Sequence, residues 1–425
     1  MTGRERLDRA RRLLDTAPPA PVPGQLPLAP ANGLTTVHLF SGGCGDVRGF
    51  DSAGYTPVYA ANHMAAAVDT VRANWPQVWA QQCDINNLDM RGVPSADGIV
   101  GSPICWEATP AGGRATPRAQ TELTLGEQQP AATDWSRTRM TAWDPIRYAE
   151  VHRPRFYVGE NVPGFATRFA LFTAWLNVWD ALGYNITIAS VNAAHVQGEG
   201  YERLPQLRDR LVWCMVRKDV GRVPDLRPRP EATCATCGPV RGIQQWSTRY
   251  RARTVGEFGA QYRYICPQRR CGHRRVEPVT RGIGSVIDWS VRGHRFGDGR
   301  RGRKTHTPYV EATRRRVEAG LDRFEGRPFV ITLRNHGTAT SLDEPIGTLS
   351  AQGGNHHSLV VPAASGKVDD CEYRALATAE KARAQGFPAH HVLAGRDTAQ
   401  RVQIGNAVPV NLAQWAAERV AAALT

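Results

Sequence analysis

The sequence has no run of eighteen apolar residues, which excludes a simple membrane-spanning helix. A secretory signal is missing too: a charged stretch from Arg4 to Arg12 passes directly into proline-rich chain ending at Pro30. A cytoplasmic protein is therefore expected. Cysteine is sparse and odd in number, nine in 425 residues with only four at metal-like spacing, so no disulfide framework is expected. Acidic side chains are in deficit, 39 Asp and Glu against 53 Lys and Arg, and the formal charge of +14 suits a polyanionic partner without naming it. No internal repeat is evident.

What is present is a chain long enough for a sizeable core, with one domain and a large insertion or two domains. Apolar strands are predicted at Thr35–Phe40, Pro57–Ala61, Ala96–Gly101, Arg155–Gly159, Ile186–Val191 and Leu211–Val216. Helices are predicted at Ala65–Asn74, Ala166–Leu182 and Leu412–Ala423. Their alternation predicts an α/β fold, a doubly wound, Rossmann-like parallel sheet. Between about Arg217 and Gly326 Arg and Gly dominate and long apolar runs vanish, which marks a smaller basic domain. The expected division is a leader at 1–33, a catalytic domain at 34–216, a recognition domain at 217–370 and a C-terminal segment at 371–425 packing back on the first domain.

Three segments carry candidate chemistry. Gly101-Ser102-Pro103-Ile104-Cys105 places a cysteine just past a strand, at the carboxyl edge where open α/β sheets hold their active sites. An arbitrary cysteine more often packs as a small hydrophobe, so Cys105 gains meaning only from its neighbours. Phe156 to Val162 is a second strand ending in a carboxylate, Glu160, at the same edge. Arg208 and Arg210 in Pro205–Leu211 stand two apart before a strand and face one side of extended chain. A glycine turn, Ser41-Gly42-Gly43-Cys44-Gly45, follows the first strand.

In combination these segments resemble the cytosine-5 DNA methyltransferase family. Phe40-Ser41-Gly42, Cys105, Glu160-Asn161-Val162, Gln206 to Arg210 and Gln403 to Pro409 follow the family's order, and Glu380 to Pro388 is similar to its penultimate segment. The resemblance implies an S-adenosylmethionine-dependent enzyme acting on double-stranded DNA. Carbon 5 of cytosine is barely nucleophilic, so a thiolate must first add at carbon 6 while an acid engages nitrogen 3. Cys105 is then the nucleophile, Glu160 the acid, and Arg208 and Arg210 complete the catalytic set. Phe40, Gly42 and Gly45 are expected to cradle the methionine end of the cofactor, Asp84 to meet the adenine, and Asn406 to lie beside the cofactor. Ser41, Asn62, His63, Ile85, Pro103 and Ala407 are further expected contacts. The base is expected to be flipped from the duplex.

Several positions depart from the family pattern. Ile104 precedes the nucleophile in place of a second proline, and Trp106-Glu107 replaces a polar pair. His38 stands where an acid usually opens the glycine turn, Cys44 replaces a glycine, and Asn62 replaces the acid that binds the ribose. Residues Gln197 to Leu204 lengthen a connection that is normally short. Two other readings stay open: a DNA-binding or regulatory relative with little activity, and an enzyme acting on RNA.

The basic middle holds Cys234-Ala235-Thr236-Cys237 and Cys266 to Cys271, two pairs that suit a structural, tetrahedral zinc in a ribbon at about 230–280. Glycines follow Cys237 and Cys271, as tight knuckles require, and His273 is an alternative ligand. Arginines surround the cluster and suit phosphate contacts. Trp246, Tyr250, Tyr262 and Tyr264 interleave with them, as nucleic-acid contacts or as ribbon core. A monomer is expected.

Overall fold

The computed structural model describes residues 31–104, 136–198, 200–248, 254–301, 306–334, 337–351 and 356–424. Seven strands form the main sheet: β1 Thr35–Leu39, β2 Thr56–Asn62, β3 Trp79–Gln82, β4 Gly98–Gly101, β5 Phe156–Asn161, β6 Tyr184–Asn192 and β7 Asp209–Arg217. They lie in the order β3-β2-β1-β4-β5-β7-β6. The helices of this half are α1 Gly45–Ser52, α2 Ala65–Asn74, α3 Ser136–His152, α4 Gly164–Arg168 and α5 Phe172–Ala181.

The expectation of a wholly parallel sheet is corrected at one strand. β7 runs antiparallel to both β5 and β6, inserted between them. Parallel neighbours need a crossover, usually helical; residues 193–208 provide only a short 3-10 turn before the chain returns, so β7 comes back in the opposite direction. The expected helix Ala166–Leu182 is two helices. Phe169 takes an extended backbone between them and stacks on Phe165 at 5.2 Å, while Phe172 meets Phe165 edge-on at 5.6 Å. β3 carries no apolar run, and its half-exposed Trp-Ala-Gln-Gln sequence hid it.

Alternation along the strands builds two core layers. Leu211, Trp213 and Met215 face one side with Tyr157, Trp175 and Trp179; Val212, Cys214 and Val216 face the other with Phe50, Tyr55, Phe156, Leu412 and Trp415. The second layer is closed by the last helix, Val410–Leu424, lying on α1. Gly49 permits that approach, since a Cβ there would overlap Ala413. Tyr55 Oη donates to the Ala417 carbonyl at 2.9 Å.

The basic half begins with β8 Glu231–Cys234 and β9 Gly238–Arg241, then a three-stranded sheet of β10 Ile243–Trp246, β11 Tyr262–Ile265 and β12 Arg275–Val276. Trp246, Tyr262 and Tyr264 are buried in its small core, so the three described rings of the aromatic set are ribbon core; Tyr250 lies outside the described residues. Beyond it come β13 His294–Arg295, the paired β14 Arg300–Arg301 and β15 His306–Thr307, α6 Glu311–Phe324, β16 Phe329–Thr332, β17 Ala339–Ser341, β18 His357–Val361 and β19 Glu372–Ala375. A five-stranded antiparallel sheet, β13-β19-β18-β16-β17, packs under α6 through Val317, Phe324, Phe329 and Val360. β19 draws this sheet past residue 370. The chain then forms α7 Thr378–Ala384, α8 Asp397–Asn406 and α9 Val410–Leu424, and α9 returns to the first half. The long connection at Gln197–Leu204 acts as a tie: Tyr201 Oη donates to Glu418 on α9 at 3.1 Å and Arg203 pairs with Glu231 of β8 at 2.7 Å.

Gly49→Ala is expected to destabilise the protein by about 1–3 kcal/mol through overpacking of α1 against α9. Urea unfolding of the variant beside the parent checks this, and an unchanged midpoint contradicts the tight helix contact.

Candidate active site

The carboxyl edge of the sheet collects the expected motifs in a row. After β1, Phe40 (φ 62°), Gly42 (φ 45°) and Cys44 (φ 65°) all adopt left-handed backbone. Glycine does this freely, whereas a bulky residue such as Phe40 is held there at a cost of about 1–3 kcal/mol, as happens at functional turns. Ser41 donates its N–H to the Ala61 carbonyl at 3.2 Å, tying the turn to β2. The turn opens α1, whose first N–H groups have no partner within the helix and favour an anionic ligand. Gly45 is obligatory here, because a Cβ would overlap the Val408 carbonyl, and a Cβ on Gly43 would stand 2.8 Å from the Gln403 carbonyl. The first motif and the last are therefore in contact. Ala407 is buried at this junction and Asn406 is exposed beside it.

At the end of β2, buried Asn62 accepts the Met64 N–H on Oδ1 at 2.9 Å. His63 is exposed. Next along the edge, Asp84 accepts the Asn86 N–H at 3.1 Å and the Asn87 carboxamide at 3.0 Å, while Ile85 is buried. Helix N–H groups for a carboxylate, an amide for a hydroxyl and a carboxylate for an amino group form a donor and acceptor set that fits an amino acid joined to a nucleoside.

Cys105 lies outside the described residues, but the chain leading to it is fixed. Ser102 Oγ accepts the Glu160 N–H at 3.1 Å, and the Pro103 carbonyl accepts from Asn161 Nδ2 at 3.0 Å. Ile104 is held at both ends, its N–H donating to Thr141 Oγ1 at 3.0 Å and its carbonyl accepting from Thr138 Oγ1 at 2.9 Å. Glu160 is buried, and Arg210 Nε lies 2.7 Å from its Oε2 with both side chains about a tenth exposed or less. A cavity beside them is lined by Asp46, Ser102, Glu160 and Val408. Asp46 reaches it from α1 and pairs with buried His38 at 2.9 Å, so an acid is present near the turn although position 38 lacks one.

The two expected arginines separate in role. Arg210 meets Glu160, whereas Arg208 donates to the carbonyls of Leu349 at 2.7 Å, Gly405 at 2.9 Å and Ala407 at 3.2 Å. Gln206 assists, accepting the Leu349 N–H at 2.7 Å and donating to Gln385 at 2.6 Å. These two residues fasten the C-terminal motifs to the sheet. Thr138, Thr141 and Ser102 were not singled out in the sequence. Two threonines three apart share a helix face, but nothing in the sequence marked that face as the one meeting residue 104.

A family model described as C-5 cytosine-specific DNA methylase matches residues 34–236 and 285–422. The chain belongs to that family. Among individual methylases it is 25% identical over 403 residues to the type II methyltransferase M1.HphI of Haemophilus parahaemolyticus, covering 91% of this chain and 86% of that one. It is 23% identical to the type II methyltransferase M.DdeI of Desulfomicrobium norvegicum, covering 91% and 88%. Its fold resembles that of DNMT2 from Spodoptera frugiperda, with a TM-score of 0.51 at 12% identity over 90% of this chain and 98% of that one. Residues 237–284, most of the ribbon, fall between the two segments matched to the methylase family.

In that ribbon the sulfurs of Cys234, Cys237, Cys266 and Cys271 all lie within 4.8 Å of one another. Four thiolates about 2.3 Å from a common centre need such a cluster, so the set fits tetrahedral zinc. Gly238 (φ 75°) and Gly272 (φ 65°) supply the left-handed turns after each pair. Backbone hydrogen bonds, from Thr236 to Cys234 and from Arg274 to Cys271, hold both thiols below their usual range, whereas desolvation pushes the Cys266 thiol up to about 12. His273 is turned away from the four sulfurs toward the Cys266 carbonyl, 3.0 Å from its Nδ1.

Arg208→Ala is expected to lower stability by about 3 kcal/mol, because three buried carbonyls lose a charged donor at once. Chemical denaturation checks this, and a loss below about 0.5 kcal/mol contradicts the fastening role.

Proposed function

We propose that this chain transfers the methyl group of S-adenosylmethionine to carbon 5 of cytosine in double-stranded DNA, acting as a monomer on a base turned out of the helix. The observation that supports this reading best is the fastening of residues 102–104 to Glu160, Asn161 and α3, which anchors the chain up to the residue before Cys105 to the strand that carries the buried Glu160 carboxyl. The cofactor, when bound, supplies an electrophilic methyl group. Phe40, Ser41, Gly42 and Gly45 would hold its amino-acid end, Asn62, His63, Asp84 and Ile85 its nucleoside, and Pro103, Asn406 and Ala407 its remaining flank.

The chain's own residues then do the following. Cys105 adds its thiolate to carbon 6, and Glu160 engages nitrogen 3, so electron density moves to carbon 5. Arg210 holds the Glu160 carboxyl in place. After carbon 5 has taken the methyl group, a base removes its proton and the bond from Cys105 breaks, restoring the ring. Arg208 supports this site from outside by fixing the segments around Leu349 and Gly405. The exposed ribbon arginines, among them Arg263, Arg269, Arg270 and Arg274, supply phosphate contacts whose strength falls with salt. Zinc at the four cysteines is structural in this reading. The type II names of the relatives support a restriction–modification setting.

Purified protein incubated with methyl-labelled S-adenosylmethionine is expected to label duplex DNA and leave total RNA unlabelled. Label in RNA alone transfers the activity to another nucleic acid, and label in neither favours a DNA-binding role. Cys105→Ser is expected to reduce transfer at least about 10³-fold while retaining cofactor binding; wild-type turnover in that variant would place the nucleophile elsewhere. Protein purified without chelator is expected to carry about one equivalent of zinc by elemental analysis, lost in Cys271→Ser. Well under one equivalent in the parent contradicts the metal assignment.

A further inference from the structure

Among the described residues, the ribbon meets the catalytic sheet at a joint that adjoins Arg210. Ser190 on β6 donates through Oγ to the Thr254 carbonyl at 3.2 Å, accepts the Gly256 N–H at 3.1 Å, and its own carbonyl accepts from Gln244 of β10 at 2.8 Å. One strand over, Asp209 accepts the Phe258 N–H on Oδ1 at 3.0 Å. The Phe258 ring meets buried His195 edge-on at 4.5 Å and packs on Tyr264 at 5.6 Å. Tyr264 lies on β11, which ends at Ile265, immediately before the ligand-type Cys266. A continuous set of contacts therefore runs from the cysteine cluster through Tyr264 and Phe258 to Asp209, the residue between Arg208 and Arg210.

The physical balance makes this joint more than incidental. Residues 254–257 belong to no strand or helix, and their backbone groups are satisfied in part by Ser190 rather than by regular structure of their own. The ribbon core beneath them is small, with Ala232, Trp246, Tyr262, Tyr264 and Val276 around two of the cysteines. Cores of this size usually need a metal or disulfide to stay folded. Loss of the metal is therefore expected to loosen the Phe258 N–H from Asp209 even though neighbouring Val255 packs in the main core, and Asp209 is joined by one peptide bond to the arginine whose Nε lies 2.7 Å from the Glu160 carboxyl.

We propose that the four-cysteine ribbon acts as a clamp on the catalytic strand, with Asp209 as the positioning residue through which it holds Arg210 against Glu160. The inference rests on the assignment of Glu160 and Arg210 to the active site and of zinc to the cysteines. It goes beyond DNA recognition, because it makes the ribbon a determinant of turnover. The clamp is drawn from residues 254–264, inside the stretch that the methylase family model leaves unmatched.

The test compares the full chain with Asp209→Ala and Asp209→Asn, measuring zinc content, methyl transfer across a range of duplex DNA concentrations, and hydrogen exchange of amides in β7. Asp209→Ala is expected to keep its zinc and lower kcat by about 10- to 100-fold with little change in KM for DNA, since misplacement of a catalytic group acts on the chemical step. Asp209→Asn retains an oxygen that accepts the Phe258 N–H and is expected to restore most of kcat. Exchange at residues 209–212 is expected to rise in the alanine variant and in chelator-treated parent, while exchange at residues 35–39 stays as before. Wild-type kcat in Asp209→Ala, a change in KM alone, or an asparagine variant as poor as the alanine one overturns the proposal. Should the parent itself transfer no methyl group, the enzyme assignment fails, and the exchange data still decide the clamp: unchanged protection of residues 209–212 on metal removal rejects it.

Discussion

Two hydrogen bonds across one gap in the sheet set the geometry on which the rest depends. The Glu160 amide to Ser102 and the Asn161 carboxamide to Pro103 join the ends of β4 and β5 beyond the point where regular pairing stops. Parallel strands diverge after their last ladder bond, and without these links the two loops would part. Their effect is to turn a sheet edge into a bench, with the Glu160 carboxyl and the anchored 102–104 segment fixed relative to each other before any ligand arrives. Thr138 and Thr141 add a third support from α3. Groups fixed in this way need no rearrangement when a ligand is engaged.

Much of the architecture was legible because strands buried on both faces write themselves as continuous apolar runs; β2, β4 and the first four residues of β5 are of that type. β3 was not, since its two glutamines break the run, and α3 carries Pro145, which reads as a helix breaker. The reversed direction of β7 is a matter of connection, not composition: Leu211 to Val216 looks the same in either sense. The position of Glu160 at a strand end and of the glycine turn before a helix could be read from local sequence. The division of labour between Arg208 and Arg210 could not, because it is decided by carbonyls at Leu349, Gly405 and Ala407, far away in the chain. The aromatic residues of the ribbon illustrate the same limit, as only packing distinguishes a buried Tyr264 from a base-stacking one.

Electrostatics follow a similar logic of relocation. The acid usually found at the start of the glycine turn is replaced by His38, yet Asp46 in the first turn of α1 pairs with that histidine and faces the cavity shared with Glu160. Elsewhere a buried pair, Arg374 and Glu380, carries two 2.7 Å contacts and gathers the Asp288 and Ala377 N–H groups, so the second sheet and α7 are joined by a shared hydrogen-bond network. Such a pair fixes relative orientation more than it adds stability.

The contact of Gly45 with the Val408 carbonyl carries a consequence for how the molecule comes into being. Residues more than 360 positions apart in the chain form the two walls of one pocket, which makes the site a product of highly non-local contacts. A ribosome-bound chain that has released only its first strands holds a glycine turn with no opposing wall, however complete the neighbouring sheet. Competence to hold a ligand there thus arrives late and all at once, when α8 and α9 emerge and dock.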